Sequence, residues 1–117
     1  TYGHDAGDVV LKDLADLLLR RESEVKNFRC ARWGGEEFVL AYLTEADKRA
    51  QVINELEYIR KCVEEKSVVY NGMTIRHTLT IGAAFYDGGT KTDSLITEAD
   101  QRLYKGKENT RNCVVYE

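Results

Sequence analysis

Arg32-Trp33-Gly34-Gly35-Glu36-Glu37-Phe38 is the stretch that decides the reading of this chain. Two strand-like runs, Phe28 to Trp33 and Glu36 to Leu43, flank the Gly34-Gly35 pair and read as a β-hairpin with a tight turn. Glycine at a hairpin tip leaves the backbone open where another group must approach closely. Two carboxylates follow at the start of the second strand. Successive strand side chains point to opposite faces, so Glu36 and Glu37 are not expected to meet one ligand in the same way. One of them can hold a hard divalent cation such as Mg²⁺, which takes one or two carboxylates together with phosphate oxygens. The bland alternative is a common turn followed by two solvated acids.

Outward from the hairpin, the apolar pattern places the remaining elements. Upstream, Thr1 to Asp8 (TYGHDAGD) reads as a loop. Val9, Val10, Leu11, Leu14, Leu17 and Leu18 then recur at helical spacing, predicting a helix over roughly Gly7 to Arg21 with Asp5 or Asp8 as its cap. Downstream, Ala46, Ala50, Ile53, Leu56, Ile59 and Val63 form the apolar stripe of a helix over Thr44 to Lys66. Val68 to Tyr70, the Asn71-Gly72 turn and a long run from Met73 to Tyr86 predict a second hairpin. The second strand of that hairpin becomes small and apolar, as a central strand does. A loop over Asp87 to Thr92, a helix over Asp93 to Lys107 capped by Asp93, and a last strand over Cys113 to Tyr116 complete the chain. The expected order is α, β, β, α, β, β, α, β. That is one α+β domain spanning 1–117, with helices packed on an antiparallel-rich central sheet.

The composition is that of an ordinary soluble domain, with 43% apolar and 32% charged residues and no proline. A net charge of −3 over 117 residues speaks against a general nucleic-acid binder, which carries a basic face. It leaves room for a nucleotide site, since a few cations and a metal ion hold a phosphate locally. Cys30, Cys62 and Cys113 are odd in number and make no CxxC pair, and so read as reduced thiols of a cytoplasmic protein that serve packing. No apolar run reaches the length of a membrane span, and no signal-peptide pattern is present. The chain starts at Thr1 without a methionine and is read as a fragment, a processed chain or an excised piece of a longer protein.

Four segments, in order, resemble one family. The hairpin tip looks like the signature loop of the GGDEF family in its GGEEF form. Thr1-Tyr2-Gly3-His4-Asp5-Ala6-Gly7-Asp8 is similar to the second half of the family's nucleotide-contacting segment, FKxxND followed by TYGHxxGD. Leu79-Thr80-Ile81-Gly82-Ala83-Ala84 resembles its SIGVA strand. Ala99-Asp100-Gln101-Arg102-Leu103-Tyr104, Lys107 and Arg111-Asn112 resemble its ADxALYxAKxxGRN segment. The resemblance covers nearly the whole chain and implies a fold like that of nucleotidyl cyclases and polymerase palms. It also implies the activity of a diguanylate cyclase, which condenses two GTP molecules into the bacterial second messenger cyclic di-GMP.

By that resemblance Glu36 binds the catalytic metal, Mg²⁺ or Mn²⁺, and Glu37 stands near the reacting ribose hydroxyl. Gly34 and Gly35 lie along the GTP phosphates, Asp8 reads guanine, and Lys107 and Arg111 hold the terminal phosphates. Each role suits its chemistry. A carboxylate accepts from guanine N1–H and its exocyclic amine, a donor pair that adenine lacks. Lys as a point charge and Arg as a fork both suit phosphate oxygens. One domain holds one GTP, so the reaction implies a homodimer, driven by a sensory or receiver domain upstream. Plainer roles compete: Asp8 as a helix cap, and Lys107 and Arg111 as cations favoured at a helix C-terminus. Tyr2, Trp33, Tyr42 and Tyr104 read as packing residues, Arg32 as a surface cation, and His4 and His77 as structural.

The chain departs from the family pattern in three places. The family opens with a central strand whose aspartate is the other metal ligand, followed by Phe, Lys and a guanine-contacting Asn. None of these precedes Thr1, which implies a weak metal site and exposed ladder edges in the piece as it stands. The RxxD pair through which product inhibits many members is replaced by Val25-Lys26-Asn27-Phe28, so no product inhibition through that site is expected. Gly106 stands where Ala is usual, at a helix cost of about 1 kcal/mol. Two other functions stay open: a degenerate domain that binds GTP or a protein without turnover, and another palm-type nucleotidyl cyclase or polymerase fragment, which an ATP-for-GTP exchange would separate.

Overall fold

The structure is a computed structural model that describes residues 3–89 and 91–117. Its elements are α1 (Gly3–Glu24), β1 (Phe28–Gly34), β2 (Glu37–Tyr42), a 3-10 turn (Ala46–Lys48), α2 (Arg49–Glu65), β3 (Ser67–Tyr70), β4 (Met73–Arg76), β5 (Ile81–Gly82), α3 (Thr92–Glu108) and β6 (Val114–Val115). The class is α+β, as the hydrophobic pattern implies. The described residues gather into two compact units.

The first unit holds α1 and two antiparallel hairpins, β1–β2 and β3–β4. Leu14, Leu17 and Leu18 form the inward stripe of α1 and are buried with Ala6, Phe28, Val68 and Ile75. Phe28 and Tyr42 face each other across the β1–β2 ladder and stack at 4.5 Å between ring centres. Such a cross-strand aromatic pair pins the register from the end opposite the turn. The Cys30 backbone N–H, on the edge of β1, donates to a Glu22 carboxylate oxygen of α1 at 2.8 Å. That contact ties helix to hairpin and satisfies an amide on the strand's edge. Asn71 and Gly72 both take positive φ, +51° and +76°, as a two-residue type I′ turn requires.

The second unit holds α2, α3 and a short parallel pair, β5–β6. Leu56, Ile59 and Val63 are its buried apolar residues on α2. Helix α3 lies against β5 and β6. The approach is close: a Cβ on Gly82 would fall 2.2 Å from the Ala99 carbonyl oxygen and 2.3 Å from the Leu103 nitrogen.

Several expectations need correction. Gly3 to Asp8 is helical rather than looped, so α1 starts before Asp5 and Asp8 and neither caps it. Ala6 is buried there, and its packing outweighs the breaking tendency of the flanking glycines. Helix α2 starts at Arg49, after a 3-10 turn, and Ala46 and Ala50 are exposed outside its buried stripe. Lys91, not Asp93, occupies the N-cap of α3, without a side-chain cap hydrogen bond. The run expected to extend from Met73 to Tyr86 breaks into β4 and the two-residue β5, which pairs in parallel with β6. Among the described residues the ladders form three separate two-stranded pairs rather than one central sheet. The physical reason is that a strand exists only where a ladder partner lies, and an apolar run does not encode its partner. The final strand is likewise confined to Val114–Val115.

Candidate active site

The tip of the β1–β2 hairpin is exposed from Ala31 through Glu37, unlike the buried Phe28 at its other end. Gly34 is the last residue of β1 and pairs with Glu37, so Gly35 and Glu36 make the turn itself. Gly35 takes φ +52°, a conformation in which an L side chain is strained. A Cβ at Gly34 or Gly35 would meet nothing within 4 Å. Open space flanks this backbone, the condition for a ligand to lie along it. The register slips between Arg32 and Gly34, which leaves Trp33 as a bulge residue. Trp33 is 61% exposed and therefore does not pack, contrary to its expected role. Tyr104 is 65% exposed and fails the same expectation, while Tyr42 packs on Phe28 as expected.

Glu36 lies in the turn, not on the strand, so strand alternation does not separate it from Glu37, the first residue of β2. The two carboxylates occupy successive positions on an exposed tip. Arg32 holds that tip: its Nε donates to the Gly35 carbonyl oxygen at 2.8 Å, and its guanidinium donates a second bond to the same oxygen. Read from the sequence as a surface cation, Arg32 is a brace of the turn. The only signal was a cation three residues before the second glycine. Among the described residues no group of three or more His, Cys, Asp or Glu side chains is gathered for a metal. The tip offers one or two hard carboxylates in open space. This donor set fits a Mg²⁺ ion that completes its shell with phosphate oxygens and water.

Asp8 belongs to the same unit as the hairpin and is exposed on α1. With the helix beginning at Gly3, the competing role of cap is removed. Lys107 and Arg111 belong to the other unit. Lys107 is exposed in the last turn of α3, where the helix dipole favours a cation in any case. Arg111 lies beyond the helix, exposed, at φ +52°, with its N–H donating to the Gly106 carbonyl oxygen at 2.9 Å. Thr1 and Tyr2 of the upstream motif lie outside the described residues.

All three cysteines are free and half-buried. Burial and a hydrogen bond to Glu22 push the Cys30 thiol up to about 11, so it is not a nucleophile at neutral pH. The same backbone and thiol hydrogen bonds hold the Glu22 carboxyl below its usual range.

The chain as a whole is similar to known proteins. The family model described as "Diguanylate cyclase, GGDEF domain" matches residues 1–113. The chain is 40% identical to Diguanylate cyclase A of Treponema denticola, over 97% of this chain and 30% of that protein. It is 35% identical to diguanylate cyclase DosC of Escherichia coli, over 97% of this chain and 24% of that one. The chain thus spans less than a third of the length of these relatives. Among solved structures, the GGDEF domain of DgcB from Caulobacter crescentus in complex with c-di-GMP superposes with a TM-score of 0.87 at 30% identity, covering 98% of this chain and 65% of that one. The active GGEEF domain of a diguanylate cyclase from Vibrio cholerae does so with a TM-score of 0.77 at 31% identity, covering 98% and 70%. The chain belongs to the GGDEF domain family of diguanylate cyclases. No described helix is long and apolar enough to cross a membrane.

Proposed function

We propose that this chain is the larger part of a single GGDEF domain that condenses two GTP molecules into cyclic di-GMP and two pyrophosphates, as a homodimer in the cytoplasm. The observation that carries the reading is the exposed, intact tip: an open glycine turn braced by Arg32 and followed by two carboxylates. Asp8 accepts from the guanine edge and so selects GTP over ATP. Gly34 and Gly35 let the phosphates lie along the backbone, and Lys107 and Arg111 neutralise the terminal phosphates. Glu36 would hold Mg²⁺ or Mn²⁺, which when bound neutralises charge at the α-phosphate and favours the ionised 3′-hydroxyl. Glu37, beside the hydroxyl, accepts its proton. The 3′-oxygen bonds to the α-phosphorus of the GTP held by the other subunit, the α–β bridging bond breaks, and pyrophosphate leaves. Two such transfers close the ring.

The second subunit is required because one domain holds one GTP. An upstream sensory or receiver domain would set how often two domains meet. A similar protein, diguanylate cyclase SiaD of Pseudomonas aeruginosa, was solved in complex with its activator SiaC, which supports control of such domains by a further protein element. Feedback through an RxxD pair is not expected. Phe28, at the position of the acid, is fully buried in the first unit's core and stacked on Tyr42.

The test is GTP turnover with Mg²⁺ by the parent protein carrying its upstream sequence, beside Glu36→Ala. Cyclic di-GMP from the parent and a loss of about a thousandfold or more in Glu36→Ala are expected. A parent that binds GTP yet yields no product at concentrations where it is dimeric would make this a GTP-binding module. Turnover of ATP in place of GTP would make it a different nucleotidyl cyclase.

A further inference from the structure

Arg111 and Asn112 occupy left-handed backbone in succession, at φ +52° and +46°. Asparagine tolerates this region, but a long side chain such as arginine rarely enters it, and two adjacent residues there need outside support. The support is an amide lock on Asn112. Its Oδ1 accepts from Arg60 Nη1 at 2.9 Å, its Nδ2 donates to Glu64, and its own backbone N–H donates to the Thr80 hydroxyl at 3.1 Å. The Arg60 side chain is 13% exposed and committed on every side, with Glu57 at 2.9 Å and Glu64 at 3.7 Å. Its guanidinium is thereby a fixed strut, not a cation free to take a ligand. On the other side of Arg111, its N–H closes onto Gly106 at the end of α3, and the Cys113 carbonyl oxygen already accepts from Ile81 to start the β5–β6 pair. Arg111 is therefore fixed in backbone on both sides and free only in its exposed side chain.

We infer that Asn112 is a positioning residue for Arg111, its amide lock to Arg60 and Glu64 holding the left-handed pair so that one orientation of the Arg111 side chain is presented to the terminal phosphates. The inference rests on the assignment of Arg111 to those phosphates under the proposed function. It is distinct from a fold-stabilising role, because its effect on ligand binding must pass through Arg111.

The experiment compares equilibrium binding of GTP and of GMP, which shares guanine and ribose but lacks the outer phosphates. The proteins are wild type, Arg111→Ala, Asn112→Ala and the double variant, with melting followed for each. Wild type is expected to prefer GTP, and Arg111→Ala to lose about tenfold of that preference, the worth of one charge-assisted contact. Asn112→Ala is expected to lose about as much for GTP with GMP affinity unchanged, and the double variant to bind no worse than Arg111→Ala. Asn112→Gly keeps the left-handed backbone accessible and removes only the lock. Its expected loss is smaller, about threefold, and it serves in place of Asn112→Ala if the alanine variant does not fold. A wild type without preference for GTP, or an Arg111→Ala variant with the wild-type preference, removes the phosphate assignment and the inference with it. A lowered preference in Arg111→Ala but not in either Asn112 variant overturns the positioning role alone. So do losses that multiply in the double variant.

Discussion

An alanine at position 106 would add one methyl group to the last turn of α3, where helix propensity favours it over glycine by about 1 kcal/mol. Gly106 is buried, however, and the new Cβ would stand 2.8 Å from the Thr80 methyl, 3.1 Å from a Val115 methyl and 3.2 Å from the Cys113 sulfur. The Thr80 methyl cannot simply swing away. Its hydroxyl accepts the Asn112 N–H at 3.1 Å, and rotating the side chain gives up that bond, worth about 1 kcal/mol. Moving α3 outward instead loosens its contact with β5 and β6. Overpacking of this kind costs about 1–3 kcal/mol. With about 2 kcal/mol for the clash, the net effect is a loss of about 1 kcal/mol, or roughly 4 °C in Tm for a chain of this size. Thermal and urea melts of Gly106→Ala measure it.

Thr80→Ser supplies the internal control, since it keeps the hydroxyl and deletes the clashing methyl. In that background Gly106→Ala is expected to be neutral or to stabilise by up to about 1 kcal/mol. The coupling between the two sites is then about 1–2 kcal/mol. A Gly106→Ala protein that melts above wild type, or a coupling near zero, would show that the contact yields freely and that glycine is not required at this site.

Other perturbations read other parts of the structure. Gly82→Ala drives a Cβ into backbone atoms of Ala99 and Leu103 that cannot swing aside, so a loss of about 3 kcal/mol or more is expected; a wild-type-like melt would contradict the close approach of α3 to β5. Arg32→Ala frees the Gly35 carbonyl on an exposed turn and should lower turnover about tenfold while shifting stability by less than about 1 kcal/mol, with Arg32→Lys failing to restore the paired contact. Equal losses in stability and turnover would make Arg32 structural only. Cys30, with its thiol raised to about 11, should be alkylated slowly at pH 8 in the folded protein, and Glu22→Gln should speed the reaction. The linked stability follows from the directions of the two shifts. The contribution of the raised Cys30 thiol is present below its ordinary value near 9 and is lost as pH rises from there towards 11. That of the lowered Glu22 carboxyl is present above its ordinary value and is lost as pH falls below it. Melts at pH 7 and 10 test the first, and melts at pH 3 and 7 the second.

What the sequence made legible was whatever a few adjacent residues determine. Asn71-Gly72 announces its turn because both residues tolerate positive φ, and β3–β4 forms around it as expected. Leu14, Leu17 and Leu18 announce a helix face, and they are buried. The failures share a cause. Gly3 and Gly7 spell a loop locally, but burial of Ala6 draws the segment into α1. The Met73 to Tyr86 run has the composition of one long strand, yet a ladder needs a partner, and the run finds one only over Met73–Arg76 and Ile81–Gly82. Gly106 looked like a helix defect because the atoms that need its space, on Thr80, Cys113 and Val115, are not its sequence neighbours in α3.

The same division runs through the candidate site. Glu36, Glu37 and the two glycines stand out as candidates in the sequence because an exposed tip is free of packing demands. Arg32 and Asn112 were passed over because their contribution is geometric, and geometry depends on partners. Arg32 meets its partner three residues away, across a turn whose shape had to be known first. Asn112 meets Arg60 and Glu64 across 52 and 48 residues. A substitution at either position leaves the Gly34-Gly35-Glu36-Glu37-Phe38 loop in place, so a chain that carries the intact loop can still present its carboxylates or its Arg111 side chain in the wrong direction. Activity in this family should accordingly track the braces of the site as closely as its signature, and Arg32→Ala and Asn112→Ala are the substitutions in this chain that separate the two.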